Sequence, residues 1–423
     1  MRKKITQNNI IHFSRFVPVT GSGGGARRTR QMLQVLESFQ PQMISAGRRA
    51  RIPDLSPGDL GFPDTTVLHY YSGRDGKLKY WSTFDLKTIG AAEAKRPFAF
   101  DRITGIFKTG KGAKHWSREH KQKVNRLCAL SAEWARQLDL SVLDLAFVDD
   151  PVYFSPLTER LKKIGVPVVA VSHNIESLAS HQVNRRYRQH LFNREVEILA
   201  ACDLVVTISR EEAWLLKNLD INALFFPYYP VEEILNRLLA VRKNRKKTKK
   251  RDFLLMGTTI NEATRQGMFS VIDHWKRQEL FREGDRLLVA GFMSDIFLKE
   301  IKSEKNIEVL GPLPDEELDR IFGSVRANIV YQDWGSGALT RIMETLAAGV
   351  PLLINSHAAR SYHNMTGVIE FNALHELGDL FREIEKVEGR IPVPPRPDAA
   401  FLTTEIERIR GRVAPPREIT WSR

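Results

Sequence analysis

The chain has 423 residues and 42% apolar content, enough for two ordinary domains with sizeable cores. It contains no apolar run of about 18 residues and only two cysteines, Cys128 and Cys202, which argues against a membrane-spanning helix, a disulfide framework and a cysteine-based zinc site. The net charge of +14 is concentrated in two places: Lys95–Arg126 holds ten Lys/Arg against two Asp/Glu, and Arg242–Arg251 holds eight basic residues and no acid. The remainder is close to neutral. Such patches suit an anionic lipid surface, an acidic substrate or a solvated loop; no nucleic-acid motif accompanies them.

The start, MRKKITQNNIIHF, lacks an apolar signal core, so a cytoplasmic location is expected. Asn9–Phe16 reads as a short strand. The loop Thr20–Gly25 follows, and Met32, Leu33, Leu36 and Phe39 then repeat at helical spacing. Strand, glycine loop and helix open a nucleotide-binding βα unit, although the loop is not GxGxxG. Its glycines suit either close approach to a ligand or a tight turn. Gln42–Ala46 reads as a second strand. Residues 47–125 form a turn-rich, basic insert. Its interleaved aromatics (Tyr70, Tyr71, Tyr80, Trp81, Phe98, Phe100, Phe107, Trp116) suit packing or stacking on a ligand.

A βα rhythm resumes with a helix at Val124–Leu138 and strands at Leu145–Val148, Val166–Val171 and Asp203–Ile208. Asp149, His173 and Ser209 fall at the strand ends, where parallel sheets bind ligands. After Phe226-Pro227-Tyr228-Tyr229-Pro230 and a helix, the basic run 242–251 reads as a linker. The rhythm then restarts with strands at Phe253–Met256, Leu287–Ala290, Ile307–Leu310, Ala327–Tyr331, Pro351–Ile354 and Val368–Phe371. Gly335–Asn355 is the most informative stretch: a glycine turn, an amphipathic helix, Gly349, then a buried strand. A loop of this kind points amides at an anion. One such site gains only about 0.3–1 kcal/mol, so tight diphosphate binding needs side-chain help. Arg341 and Glu344 either supply it or form a surface i,i+3 pair.

Several matches in the right order make the chain resemble the GT-B glycosyltransferases, most closely the retaining family-four type. They are Gly21–Gly25 with Arg27-Arg28, the segment Val171–Glu176, and the stretch Ala201–Ser209. Strand-end glycines at Gly257, Gly291 and Gly311 and the segment Arg341–Pro351 complete the set. The resemblance implies an α/β fold of two Rossmann-like doubly wound parallel-sheet domains facing across a cleft. Residues 1–240 would form the acceptor-side domain, with the insert near 47–125. Residues 241–251 would be the linker, 252–390 the nucleotide-sugar domain, and 391–423 a helix and tail with the option of returning to the first domain.

The same resemblance assigns roles. Glu344 would hold the ribose and Arg341 the diphosphate. Amides of Gly337, Ala338 and Leu339 would meet sugar and phosphate. Gly24 and Gly25 would close over the phosphates. His173 would approach the anomeric carbon as the catalytic candidate, with Gly257 and Arg265 near the phosphates. No metal and no cofactor beyond a nucleoside-diphosphate sugar donor is implied. The acceptor would be a glycan, a lipid-linked glycan or a protein. The first glutamate of the family's E-x7-E motif is replaced by Ser336, and the usual Gly-Arg is Gly257-Thr258. Two rival readings stay open. One is a nucleotide-sugar 2-epimerase using Asp149, Asp150 or Glu176. The other is an inactive scaffold that binds a polyanion or an anionic membrane.

If the first basic patch faces a membrane, replacing Lys108, Lys111, Lys114 and Lys121 by glutamate lowers binding to anionic liposomes in a sedimentation assay. Unchanged binding marks a solvated loop instead.

Overall fold

The structure is a computed structural model that describes residues 9–16, 23–48, 67–71, 78–82, 127–132, 134–136, 138–179, 185–245, 248, 251–277, 285–299, 301, 304–363, 365–384, 387, 392 and 394–411. Most of the basic insert, Gly21-Ser22, most of the run 246–250 and the tail from 412 lie outside these residues. The chain divides into two units. The first comprises residues up to Ile208, Glu212–Pro227 and the segment from Pro395; the second comprises Ser209–Glu211 and Tyr228–Pro394.

The first unit is built on an eight-stranded sheet, ordered β4-β3-β2-β1-β5-β6-β7-β8. Its strands are β1 (Ile10–Ser14), β2 (Gln42–Arg48), β3 (Val67–Tyr71), β4 (Leu78–Ser82), β5 (Leu145–Asp149), β6 (Val168–Ser172), β7 (Leu204–Thr207) and β8 (Ala223–Phe225). All neighbours are parallel except β3 and β4, an antiparallel pair inside the insert. β1, β5 and β6 are buried along their whole length; β5 and β6 read as apolar runs up to their last residue, whereas β1 carries His12 and Ser14 among its apolar residues. Alternate residues feed two cores. Phe13, Val148 and Ala170 enter one, and Ile10, Phe147 and Val169 the other. The helix Arg396–Arg410 adds Leu402, Ile406 and Ile409 to the second of these cores.

The second unit is a six-stranded, wholly parallel sheet, ordered β11-β10-β9-β12-β13-β14. Its strands are β9 (Arg251–Met256), β10 (Leu287–Ala290), β11 (Ile307–Gly311), β12 (Val325–Val330), β13 (Leu352–Asn355) and β14 (Val368–Phe371). Helix Glu262–Arg277 covers one face with Met268, Val271, Ile272 and Trp275. Helix Glu232–Arg245 covers the other with Ile234, Leu238 and Val241.

The crossing between units comes at Pro227–Tyr228, ahead of the run 241–251 in which a linker is expected. The reason is that the run begins inside a packed helix. Arg245 is buried, and its guanidinium donates to the carbonyls of Gly349, Phe322 and Arg326 at 3.0, 2.7 and 3.2 Å. Arg242 reaches the Leu346 carbonyl at 3.2 Å. No described helix is long and apolar enough to cross a membrane.

Ile406→Ala tests the contribution of the C-terminal helix. Deleting this buried side chain should cost the first unit about 2–5 kcal/mol in urea denaturation. A loss below about 0.5 kcal/mol, the ordinary range for a surface site, would show that the helix does not share that core.

Candidate functional site

In the second unit the chain enters at β9, adds β10 and β11 on one side, then crosses to β12 on the other. The order reverses between β9 and β12, and ligands of open parallel sheets bind beyond strand carboxyl ends at such a point. Gly257 follows β9. A Cβ there would lie 2.3 Å from Thr264 Cγ2 and 2.8 Å from Arg341 Nη1, so the Arg341 guanidinium lies close against Gly257. Gly291, after β10, has φ +124°, and a Cβ would sit 1.9 Å from the Gly257 carbonyl oxygen. Only glycine permits that approach.

Arg341 stands in the first turn of helix Thr340–Ala347. Its Nε is buried and has no hydrogen-bond partner among the described residues. Burial lowers its pKa from 12.5 to about 10, and no carboxylate among the described residues offsets that effect. The helix starts at Leu339 without a side-chain cap. By contrast, the nearby helix Glu262–Arg277 is capped, with Asn261 Oδ1 accepting from the Thr264 amide at 3.0 Å. The second unit therefore presents a half-buried cation, with its Nε shielded from solvent, and an open helix N-terminus, both suited to an anion.

Glu344 is 4% exposed, and its Oε1 accepts the Tyr228 hydroxyl at 2.7 Å. It is not the surface partner of Arg341. Gly335 and Gly337, with φ +123° and +72°, shape the turn that carries Ala338 and Leu339 into the helix. Arg265 turns back on its own helix start, 3.4 Å from the Thr259 carbonyl and 3.8 Å from Glu262. Ser336 uses its carbonyl to accept from Arg360 at 3.0 Å, and Asp333 is exposed. Tyr228 and Arg360 are contacts that sequence reasoning missed. Tyr228 sits in the noticed run Phe226–Pro230, whereas Arg360 belongs to no motif.

The first unit reverses its strand order between β1 and β5. Asp149, at the end of β5, is fully buried there. It accepts from His12 at 2.7 Å, Ser14 at 2.6 Å and Thr29 at 2.7 Å. Burial opposes its charge, but the His12 and His173 rings more than offset this and hold the carboxyl well below the ordinary range. His173 follows β6. Its Nε2 lies 3.7 Å from Asp149 Oδ2, its amide donates to Asp150 at 3.0 Å, and its ring packs on Phe16 at 4.7 Å. Asp150, at φ +47°, pairs with Arg15 at 2.6 Å. Arg15 also reaches Glu176 at 2.9 Å, and Glu176 accepts the Tyr153 hydroxyl at 2.7 Å. The three acids considered for epimerase chemistry are thus engaged within the unit.

Gly24 and Gly25 open helix Gly24–Val35, which also starts without a side-chain cap. The space above Gly25 is filled by Phe16, whose ring would lie 2.3 Å from an added Cβ. Arg28 is fully buried and holds the Phe226 and Pro227 carbonyls at 2.6 and 3.2 Å, a structural role. Behind the His173 segment, Glu195 accepts from the Glu176 and Ser177 amides at 2.8 Å each and from the Ser177 hydroxyl at 2.5 Å. Burial raises the Glu195 carboxyl from 4.5 to about 8 despite these donors.

No family model matches the chain, and no curated protein matches its sequence. Solved structures do match its fold. The sucrose-phosphate synthase of Thermosynechococcus elongatus superposes with TM-score 0.58 at 12% identity, covering 95% of this chain and 100% of that one. The catalytic domain of Arabidopsis thaliana starch synthase IV, bound to ADP and acarbose, gives 0.59 at 12% identity, with 95% and 99% covered. A UDP-forming trehalose-phosphate synthase of Burkholderia xenovorans, in complex with glucose-6-phosphate, gives 0.54 at 12% identity, with 95% and 96% covered. The fold is GT-B. Within this GT-B chain, each Rossmann-like unit brings side chains to its own strand-order reversal, and function has to be argued from those side chains.

Glu195 yields a pH test. A carboxyl raised on folding contributes stability below its unfolded pKa of 4.5 and loses it as pH rises through about 8. The urea midpoint should therefore fall between about pH 5 and about pH 8.5, and Glu195→Gln should remove most of that fall. An equal fall in the variant would locate the titrating group elsewhere.

Proposed function

We propose that this protein moves a sugar from a nucleoside-diphosphate sugar to an acceptor hydroxyl, with retention at the anomeric carbon, in the manner of family-four glycosyltransferases. The observation that carries the reading is the half-buried Arg341, whose Nε is buried without a hydrogen-bond partner among the described residues and whose guanidinium is set against Gly257 at the strand-order reversal. A partly desolvated cation without a counter-charge is costly in itself, and a diphosphate offsets that cost. The ADP bound by the starch synthase and the UDP formed by the trehalose-phosphate synthase support a nucleoside diphosphate as the ligand class.

In this reading Arg341 and the uncapped amides of helix Thr340–Ala347 face the diphosphate. As the glycosyl bond breaks, charge grows on the leaving phosphate, and a fixed cation stabilises that state more than the ground state. This assigns charge neutralisation to the protein's own groups rather than to a metal or added cofactor. Glu344, one turn on, accepts ribose hydroxyls, and its bond to Tyr228 fixes its direction. His173 remains the catalytic candidate. The acceptor is a glycan, a lipid-linked glycan or a protein hydroxyl. The setting is the cytoplasm, with the basic insert as a membrane-facing surface.

Calorimetry with UDP, ADP and GDP tests the assignment. Arg341→Ala should weaken the preferred nucleotide between about ten- and a hundredfold, the loss of a charge-assisted hydrogen bond. Glu344→Gln retains an acceptor for Tyr228 and should weaken binding roughly tenfold. Wild-type affinity in both variants would end this reading of the site.

A further inference from the structure

We propose that Arg360 is a positioning residue of the nucleotide-sugar site, acting through the backbone of the Gly335–Leu339 turn; this rests on the donor reading above. Arg360 lies just after β13 and is buried. Its Nε donates to the Gly337 carbonyl at 2.9 Å, Nη2 to the Ser336 carbonyl at 3.0 Å, and Nη1 to the His357 carbonyl at 2.7 Å. Both terminal nitrogens also lie 3.5 Å from Gln332 Oε1. Gln332 is itself fixed by Thr264 at 2.9 Å and by Asn355.

The consequence follows from peptide geometry. In a trans peptide the C=O and the next N–H point in opposite directions, and the described residues contain no cis peptide. A Gly337 carbonyl turned to Arg360 therefore turns the Ala338 amide the other way. No described residue accepts a hydrogen bond from that amide. Two residues further along, the Leu339 carbonyl accepts the Ile342 amide at 3.0 Å and the Tyr362 hydroxyl at 3.1 Å, which together direct the Thr340 amide by the same rule. Two side chains from the segment after β13 thus set amide directions at the entrance to the helix that carries Arg341.

An arginine suits this task because its planar fork can hold several carbonyls at once, whereas a lysine ammonium is a single point of charge. The clamp also concerns the position of the missing acid. Ser336 contributes its backbone carbonyl to the clamp and no carboxylate to the donor. The turn therefore recognises the donor through amides, and the Ala338 amide takes an oxygen of the distal phosphate.

The distinguishing measurement is the preference for a nucleoside diphosphate over the matching monophosphate, taken by calorimetry on the full chain with the uridine, adenosine and guanosine series. Arg360→Lys should cut that preference roughly tenfold while leaving monophosphate affinity unchanged. Arg360→Ala should do the same, and guanidinium at low millimolar concentration, below the denaturing range, should restore it. Tyr362→Phe, which removes only a hydroxyl, should cut the preference less, and it serves if the arginine variants unfold. A wild-type preference in Arg360→Lys, or in Tyr362→Phe where the arginine variants unfold, overturns the clamp. Equal loss of monophosphate and diphosphate binding overturns it as well. If Arg341→Ala loses diphosphate binding while Arg360→Lys keeps the preference, the clamp alone fails. If wild type binds none of UDP, ADP and GDP, the donor reading fails and the clamp with it.

Discussion

Placing the Arg341 guanidinium without a carboxylate is the constraint around which the second unit is organised. Burial lowers its pKa to about 10, a shift worth roughly 3 kcal/mol between the charged and neutral forms before any solvent screening. The surrounding structure holds the guanidinium against Gly257. Gly257 clears the volume it occupies, and helix Thr340–Ala347 fixes its Cα by burying Ile342, Met343, Leu346 and Ala347. Gly291 in turn lets β10 close against the Gly257 carbonyl. The strand-end glycines thus bring a positive charge to the end of a parallel sheet.

Much of this was legible in the sequence, for a physical reason. Central parallel strands are buried on both faces, so β5 and β6 appear as apolar runs up to their last residue. Arg341 and Glu344 were legible because both sit on one short helix behind a glycine turn, where local spacing decides which groups meet. β8 escaped notice because it is only three residues long, and β3 and β4 because they lie within a basic, turn-rich insert. The basic run expected as a linker begins inside helix Glu232–Arg245 and ends at the first residue of β9, because a charged side chain is not always a solvated one. Arg245 shows the alternative, a guanidinium saturated by three carbonyls from distant parts of one unit. Tyr228 and Arg360 have the same origin: their partners lie 116 and 23 residues away, beyond local spacing.

Arg360 and Arg341 show two ways of keeping an arginine inside a small volume. Arg360 is surrounded by carbonyl oxygens, so its charge is spread into the backbone and rigidifies it. Arg341 keeps its Nε without a partner. A carboxylate at position 336, one residue before Gly337, would have been a local counter-charge; serine there leaves none. The replacement that weakens the match to the E-x7-E motif therefore also keeps the turn free of negative charge.

The two units make opposite use of the same topological position. At the β1–β5 reversal, Asp149 receives three donors, and Arg15 lies between Asp150 and Glu176 with the Phe16 and Tyr153 rings against it at 4.6 and 4.3 Å. Those charges are paired within the unit, so the arrangement is rigid and places His173 beside a fixed carboxylate. At the β9–β12 reversal the cation has no carboxylate partner among the described residues. A cluster whose carboxylates are matched by donors has little to gain from an anion, even though His12 Nδ1 and His173 Nε2 keep no hydrogen-bond partner among the described residues, whereas a half-buried cation next to uncapped amides has several kcal/mol to gain. The two reversals therefore differ in pairing: the first matches its carboxylates with donors, whereas the second holds a cation with no carboxylate beside it among the described residues.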